Sequence, residues 1–237
     1  MTVKETQSYY DEFSGWYERA RSVGYHAFLD QAETSVLRPY ADGRDLLEVG
    51  CGTGLILERL APRARRAVGM DLSEGMLEKA RSKGLDVVQG SATALPFEDQ
   101  SFDLSYSVKV LAHVPDIRLA LAEMARVTRP GGHIIAEFYN RHSVRYWIKR
   151  LRPGLKISES TTDHEVYTRY DTPRQMLDYL PREAEPVELV GIRVFTVVPQ
   201  TFKVPLLGRA WEQLERWSMH SPFRRFGGFL MLVARKR

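Results

Sequence analysis

Three glycines alternate along residues 48–54, where the sequence is Glu-Val-Gly-Cys-Gly-Thr-Gly. Because glycine has no Cβ, Gly50, Gly52 and Gly54 let the chain turn sharply and present bare backbone N–H groups to a small molecule. The apolar run before them, residues 45–49, has the length of a buried strand. The segment therefore predicts a small-molecule site at the end of a strand.

One acidic residue stands where it could serve the same ligand. Asp71 follows a second apolar run, 21 residues after Gly50, and a carboxylate there can accept hydrogen bonds from both hydroxyls of a ribose. Dinucleotide-binding loops have the pattern G-x-G-x-x-G, whereas Leu55 stands at the last position and Gly54 comes one residue early. The spacing favours a ribose ligand without a pyrophosphate and disfavours a nicotinamide-dependent oxidoreductase.

Two basic residues follow the fourth predicted strand. His113 is the candidate catalytic residue, a base or an orienting group at the carboxyl edge of the sheet, where such folds bind ligands. The alternative is that His113 bonds to a loop carbonyl and stabilises the turn. Lys109 is charged within the apolar stretch 108–112, and it could face an acidic substrate or extend to the surface.

Candidate substrate contacts also follow the fifth predicted strand, at the same edge. They are Glu137, Tyr139, Asn140 and His142, and Trp147 lies just beyond them. Trp147 belongs to segment 143–156, which combines apolar and basic residues as basic amphipathic helices do. With residues 204–217, this segment predicts a lid, either packed on the sheet with a solvated basic face or lying on a membrane surface.

The composition excludes several classes of protein and of site. With 237 residues and 43% apolar content, the chain can bury the core of a single domain. Its one cysteine, Cys51, excludes an internal disulfide and a multi-cysteine metal site, and we expect no metal. The 34 basic and 30 acidic residues are mostly interspersed, so the net charge of +4 is a weak signal and no nucleic-acid partner is expected. An N-terminus without an apolar signal segment predicts a cytoplasmic protein.

Predicted strands alternate with predicted helices along the chain. The strands are expected at residues 45–49, 67–71, 85–88, 102–106, 133–138, 187–192 and 228–234, and helices at 53–60, after the caps Ser73 and Asp116, and before Pro39. This alternation predicts an α/β fold with a doubly wound, mostly parallel, seven-stranded Rossmann-like sheet.

We expect the domain to carry decorations around this core. Residues 1–44 form a helical cap, 45–138 the cofactor-binding core, and 139–185 and 196–227 are insertions after strands 5 and 6 on the acceptor side. All four tryptophans and ten of the eleven tyrosines lie outside residues 46–138. These aromatic residues either anchor the decorations to the sheet or line a substrate pocket.

Five short segments carry a wider pattern. They are Glu-Val-Gly-Cys-Gly-Thr-Gly at 48–54, Gly-Met-Asp-Leu-Ser-Glu-Gly-Met-Leu at 69–77, Ala-Leu-Pro-Phe at 94–97, Ser-Phe-Asp at 101–103 and Arg-Pro-Gly-Gly at 129–132. In order and spacing, over about residues 45 to 140, they resemble the class I S-adenosylmethionine-dependent methyltransferases, particularly the ubiquinone-biosynthesis-like branch.

That resemblance assigns roles to individual residues. It implies cofactor contacts by Tyr17, Glu48, Gly50, Cys51, Gly52, Gly54, Asp71, Leu72, Met76, Ser91, Ala92 and Ser107. In the family's arrangement Asp71 holds the ribose, Leu72 and Met76 flank the adenine, Glu48 organises the loop amides, and Ser107 lies near the methionine end. The N-terminal aromatics Tyr17 and Tyr10 close over the ligands, Tyr10 on the substrate side, unless they only pack between helices.

One position departs from the family pattern. Gln89-Gly90-Ser91-Ala92 stands where the family has Gly-Asp-Ala, whose aspartate accepts from the adenine amino group. Ser91 is a shorter, neutral acceptor, so we expect adenine recognition to shift to backbone and apolar contacts.

The sequence thus predicts an enzyme that uses S-adenosylmethionine to methylate a small aromatic or lipophilic molecule. The remaining alternative is a non-catalytic protein that binds the cofactor or a partner, since the base is unassigned and position 91 departs from the pattern.

Overall fold

Seven strands form one sheet. The structure, a computed structural model, describes residue 11 and residues 24–151, 167–196 and 205–237. The strands are β1 (Asp45–Val49), β2 (Arg66–Asp71), β3 (Asp86–Gln89), β4 (Phe102–Ser107), β5 (Thr128–Tyr139), β6 (Ala184–Ile192) and β7 (Phe229–Lys236). They lie in the order β3-β2-β1-β4-β5-β7-β6; β1 to β5 pair in parallel and β7 runs antiparallel to both neighbours. This confirms the predicted mostly parallel, doubly wound sheet.

Helices cover both faces of the sheet. The described ones are α1 (Gly24–Ala41), α2 (Leu57–Leu60), α3 (Glu74–Ser82), α4 (Ile117–Val127), α5 (Val144–Leu151), α6 (Pro173–Asp178) and α7 (Pro205–Ser218). Side chains alternate between the two faces of each strand, so Leu46 of β1 packs with α1 while its neighbour Leu47 packs with α4. None of the described helices is long and apolar enough to cross a membrane.

Several element boundaries differ from the predicted ones, and three of the differences have a clear physical reason. Helix α1 runs through Pro39 to the buried Ala41, because burial of its apolar face continues past the proline. Helix α2 begins only at Leu57, since Gly54 adopts φ +80° and donates to the Cys51 carbonyl, which keeps the loop in a tight turn. Strand β5 begins at Thr128 and not at His133, because residues 129–132 are accommodated by a shift in the register of its pairing with β4.

The carboxyl ends of the central strands meet at one edge of the sheet. Val49 ends β1, Asp71 ends β2, Ser107 ends β4 and Tyr139 ends β5. Parallel pairing places these four residues side by side in the order Asp71, Val49, Ser107, Tyr139. Ligands of open α/β sheets bind beyond such an edge, where the strand order reverses; here the reversal lies between β1 and β4.

Candidate cofactor and acceptor site

A cavity of about 240 Å³ lies at this edge. Its polar lining includes Asp30, Glu48, Asp71, Ser91, Thr93, Lys109, His113 and Tyr167, and its apolar lining includes Leu55, Ile56, Met70, Leu72, Met76, Val108 and Val110. The strand order puts Asp71 and Ser91 at one end and Lys109 and His113 at the other. The cavity therefore spans the glycine loop and continues to the segment that follows β4.

The glycine loop supplies the floor of the cavity. The amides of Gly50 and Cys51 both donate to the Met70 carbonyl, at 2.6 and 3.0 Å, which ties the loop to β2. Gly50 has φ +79°, and a Cβ there would run into Val110. Gly52 has φ +54°, and a Cβ there would meet nothing within 4 Å. Gly50 is thus required by packing, whereas Gly52 leaves its backbone open to the cavity.

Asp71 links the loop to the start of α3. Its Oδ2 accepts from the amide of Gly52 at 2.8 Å, and its Oδ1 accepts from the amide of Ser73 at 2.9 Å. Burial raises the pKa of the Asp71 carboxyl, and these amide bonds act against that rise. A carboxylate has about four lone-pair sites, so both oxygens retain capacity for a ligand that lies along the cavity wall.

Glu48 lies beneath the loop, almost fully buried at the middle of the cavity. Its Oε2 accepts from the Tyr106 hydroxyl at 3.1 Å, and its carboxylate also accepts from the amide of Leu57 at the start of α2. Burial raises the pKa of Glu48 to about 8. The residue holds the loop, β4 and α2 in fixed relation.

Three other predicted cofactor residues support the loop. The buried Cys51 packs its Sγ against Gly69 of β2, and burial raises the pKa of its thiol, which favours an inert structural role. Ser107 is fully buried and donates to the Val49 carbonyl at 2.7 Å. Neither Ser107 nor Gly54 is among the cavity-lining residues, so both act through the shape of the loop.

The other predicted cofactor contacts lie beyond the ends of β2 and β3. Leu72, Met76, Ser91 and Ala92 all line the cavity. The Ser91 Oγ is 2.9 Å from the Thr93 Oγ1 and accepts from the Thr93 amide at 3.3 Å. Because the Ser91 hydroxyl already makes these two contacts, it has less hydrogen-bonding capacity left for a ligand than a free hydroxyl would have.

His113 lines the opposite end of the cavity. Its Nδ1 lies 2.8 Å from the Tyr167 carbonyl oxygen; a carbonyl only accepts, so Nδ1 carries the proton and Nε2 is the acceptor of the neutral ring. Burial lowers the pKa of His113. The predicted bond to a loop carbonyl is present, and His113 also lines the cavity.

Lys109 also lines this end, with its backbone in the left-handed region at φ +61°. Its Nζ lies 2.8 Å from Glu33 Oε2 and 3.4 Å from Asp30 Oδ1, both on α1. The ammonium group is therefore committed to two buried carboxylates. This arrangement differs from both expectations for Lys109, a free cation for an acidic substrate and a side chain extended to the surface.

The predicted substrate contacts after β5 separate into two groups. Tyr139 packs between the rings of His113, Tyr170 and Phe229 and so lies one ring behind the cavity wall. His142 and Trp147 face solvent, Trp147 at 55% exposure. The Asn140 side chain accepts from the His142 amide in a tight turn, which leads the chain into α5 and away from the cavity.

Two predicted contacts and part of the predicted lid lie outside the described residues. The contacts are Tyr10 and Tyr17, and the part of the lid falls within residues 152–166. Within α5, the exposed apolar side chains are Val144, Trp147, Ile148 and Leu151. The membrane-surface alternative for this segment stays a prediction.

Sequence reasoning missed Asp30 and Tyr167, which reach the cavity from α1 and from the segment before α6. An acidic pair at i and i+3, Asp30 and Glu33, lies in a helix whose other buried residues are mostly apolar. Buried acidic residues in such a helix were the available signal, because they need partners.

The chain resembles known proteins over most of its length. A family model described as a methyltransferase domain matches residues 47–136. A demethylmenaquinone methyltransferase of Thermobifida fusca is 32% identical over 164 residues, which cover 65% of this chain and 69% of the relative. A ubiquinone biosynthesis O-methyltransferase of Alkalilimnicola ehrlichii is 35% identical over 190 residues, covering 77% and 76%.

The fold is also found in a solved structure. A methyltransferase of Thermotoga maritima described as SAM-dependent, possibly a histamine N-methyltransferase, superimposes with a TM-score of 0.70 at 23% identity, covering 98% of this chain and 99% of that one.

Proposed function

The chain belongs to the class I S-adenosylmethionine-dependent methyltransferases, and we propose that it methylates a small acceptor of aromatic or lipophilic character. The relatives named for quinone biosynthesis support an acceptor of that kind. The reaction needs two ligands held end to end, because the methyl group moves directly from the cofactor to the acceptor.

The described residues fit the cofactor. The Asp71 carboxylate is suited to a ribose diol, since it retains acceptor capacity beside the open backbone of Gly52. Leu72 and Met76 give the apolar surface that an adenine ring requires. The amides from Gly50 to Gly52 donate to Met70 and Asp71, so this loop offers backbone carbonyls, not the expected bare N–H groups, to the methionyl part. Glu48 supports that loop from below.

The cofactor supplies a methyl group activated by the adjacent sulfonium. The chain's part is to align the acceptor, exclude water and hold or accept a proton. His113 is suited to accept it, because its ring is neutral, its Nε2 is the acceptor nitrogen and the residue lines the end of the cavity away from Asp71. Lys109 is a positioning residue, since it fixes α1 against the end of β4.

One observation carries the proposal. A single cavity runs from Asp71 at the end of β2, past the glycine loop, to Lys109 and His113 beyond β4. A protein that only bound the cofactor would not need the extension beyond β4. We place the acceptor in this extension.

The experiment has two stages. Thermal unfolding is first measured with S-adenosylmethionine, with its demethylated product and with NAD; a ligand at 100 times its Kd should stabilise the protein by about 2.7 kcal/mol. Mass spectrometry then detects methyl gain in a panel of phenols, catechols and lipophilic aromatic compounds. Stabilisation by NAD alone would overturn the proposal, and cofactor binding without methyl gain would support the non-catalytic alternative.

A further inference from the structure

Glu137 of β5 is a buried carboxyl group that makes no hydrogen bond with the described residues. The residue is 1% exposed, and neither Oε1 nor Oε2 has a partner in the part of the chain that the structure describes. Burial raises its pKa well above the ordinary value. Buried polar groups in native proteins are almost always satisfied, by protein, water or ligand, so two unpaired oxygens on one residue point to an occupant.

A second unsatisfied group lies nearby. The Arg145 guanidinium on α5 is held over the rings of Tyr139 and Phe229, at 5.0 and 4.7 Å from their centroids. Its Nη1 is buried and, among the described residues, has no hydrogen-bond partner. The charge of Arg145 partly offsets the effect of burial on the pKa of Glu137, yet no hydrogen bond joins them. A carboxyl group and a guanidinium N–H therefore lie near one another, and both lack hydrogen bonds among the described residues.

This pair lies directly behind the acceptor end of the cavity. Ala136 pairs with Ser107 of β4, so Glu137 is next to the chain that leads to the cavity-lining Lys109. The Tyr139 ring under Arg145 is 5.7 Å from the ring of His113, another cavity-lining residue. Lys109, whose charge also acts on the pKa of Glu137, and His113 therefore connect the pair to the acceptor end of the cavity.

We propose that Glu137 and Arg145 form a polar subsite that binds a hydroxyl group of the methyl acceptor, an inference that rests on the proposed function. A hydroxyl donates one hydrogen bond and accepts two, so it satisfies the Glu137 oxygen and the Arg145 Nη1 together. An ammonium group only donates and would leave Arg145 unsatisfied beside a second cation. A carboxylate would bring a second acid group against Glu137 in the same buried site.

Two variants separate binding from structure. Glu137→Leu removes both unsatisfied oxygens and places an apolar side chain on the face of Ile135, opposite Met231 of β7. We expect this variant to fold with a higher Tm than the wild type, because an unpaired buried carboxyl destabilises the native state. A residue kept only for structure would instead lower the Tm when replaced. Glu137→Gln keeps one acceptor oxygen and is the conservative control.

The ligands are four benzenes that carry one substituent each and differ only at the end of that substituent. They are benzyl alcohol, benzylamine, phenylacetate and ethylbenzene, so only the first contains a hydroxyl group. Binding is measured by ligand-observed NMR in the presence of the demethylated cofactor. We expect the alcohol to bind the wild type about fivefold more tightly than ethylbenzene, the effect of one hydrogen bond. That preference should vanish in Glu137→Leu and persist in part in Glu137→Gln, with cofactor affinity unchanged in both.

Several results would overturn the subsite. Preference for the amine or the carboxylate would refute the hydroxyl assignment, and equal binding of all four compounds would mean that water alone satisfies the pair. A preference that survives in Glu137→Leu would place the contact elsewhere. Failure of the proposed function is recognised separately, either because the demethylated cofactor does not bind to the wild type or because the acceptor panel shows cofactor binding without methyl gain.

Discussion

The Asp71 carboxylate accepts a hydrogen bond from the backbone amide of Gly52, 2.8 Å away and nineteen residues earlier in the chain. The residue suited to the ribose is therefore also a structural partner of the glycine loop. Through its second oxygen, which accepts from the Ser73 amide, the same carboxylate fixes the start of α3. One side chain thus couples the shape of the loop to the cavity that it borders.

The first prediction compares two loop glycines. Both Gly50→Ala and Gly52→Ala place a Cβ at positive φ, which costs about 1 to 2 kcal/mol. Only Gly50→Ala also meets Val110, and such overpacking adds about 1 to 3 kcal/mol. We expect urea unfolding to show a larger loss of stability for Gly50→Ala, while Gly52→Ala loses mainly cofactor affinity. Equal losses of stability in the two variants would show that the Val110 side chain moves aside with no measurable free-energy cost.

The second prediction concerns Ser91. Ser91→Asp restores the charged acceptor of the family pattern, and hydrogen bonds to charged groups contribute about 1 kcal/mol more than neutral ones. Calorimetry should therefore show about fivefold tighter binding of S-adenosylmethionine. Ser91→Asn, similar in size but neutral, is the control and should gain less. Unchanged or weaker affinity in Ser91→Asp would refute the idea that adenine recognition has shifted away from this position.

The third prediction follows from the burial of Glu48. Its pKa is about 8 in the folded state against 4.5 ordinarily, so between these values the unfolded state is deprotonated and the native state retains the proton. Native stability contributed by this group therefore falls as pH rises from about 4.5 to about 8.

Glu48→Gln removes that dependence. The Tm of the variant minus that of the wild type should increase across the window and level off above pH 8, as measured by thermal unfolding without ligand. Glu58→Gln, at an exposed position on α2, serves as the control. A Tm difference that does not vary with pH would mean that Glu48 is ionised normally in the folded protein.

The fourth prediction concerns proton transfer by His113. Burial lowers the pKa of His113 below 6.5. We therefore expect kcat/KM to decline toward acid pH only below pH 6.5, and we call this decline the acid limb of the profile. His113→Gln should remove the limb and lower the rate about a hundredfold, within the usual range for a general base. His142→Gln changes an exposed histidine outside the cavity and should leave the profile intact. If the acid limb persists in His113→Gln, His113 does not transfer the proton, and its role is the structural bond to Tyr167.

Local features of the site were predictable from the sequence. Ser73 and Asp116 cap their helices by accepting from amides three residues later, and such bonds depend only on nearby sequence. The glycine loop is similar, because its spacing sets the turn that follows β1. The parallel sheet follows from the alternation of strands and helices.

Long-range partners were not predictable in the same way. The position of Lys109 depends on Glu33, 76 residues away on α1, and a single sequence does not encode which helix packs on which strand end. Trp147 was expected near the substrate because it follows β5, but its direction depends on the turn at Asn140 and on the face that α5 presents to the sheet. The missing hydrogen bonds of Glu137 likewise depend on the packing of several elements.

The most direct measurement is a calorimetric titration of S-adenosylmethionine into the wild type, Asp71→Asn and Asp86→Asn. Asp71→Asn keeps the size of the side chain and removes its charge, and Asp86 is an exposed aspartate of β3 outside the cavity lining. We predict one binding site in the wild type, affinity at least about tenfold weaker in Asp71→Asn, and no change in Asp86→Asn. Undiminished affinity in Asp71→Asn would contradict the placement of the cofactor across the glycine loop.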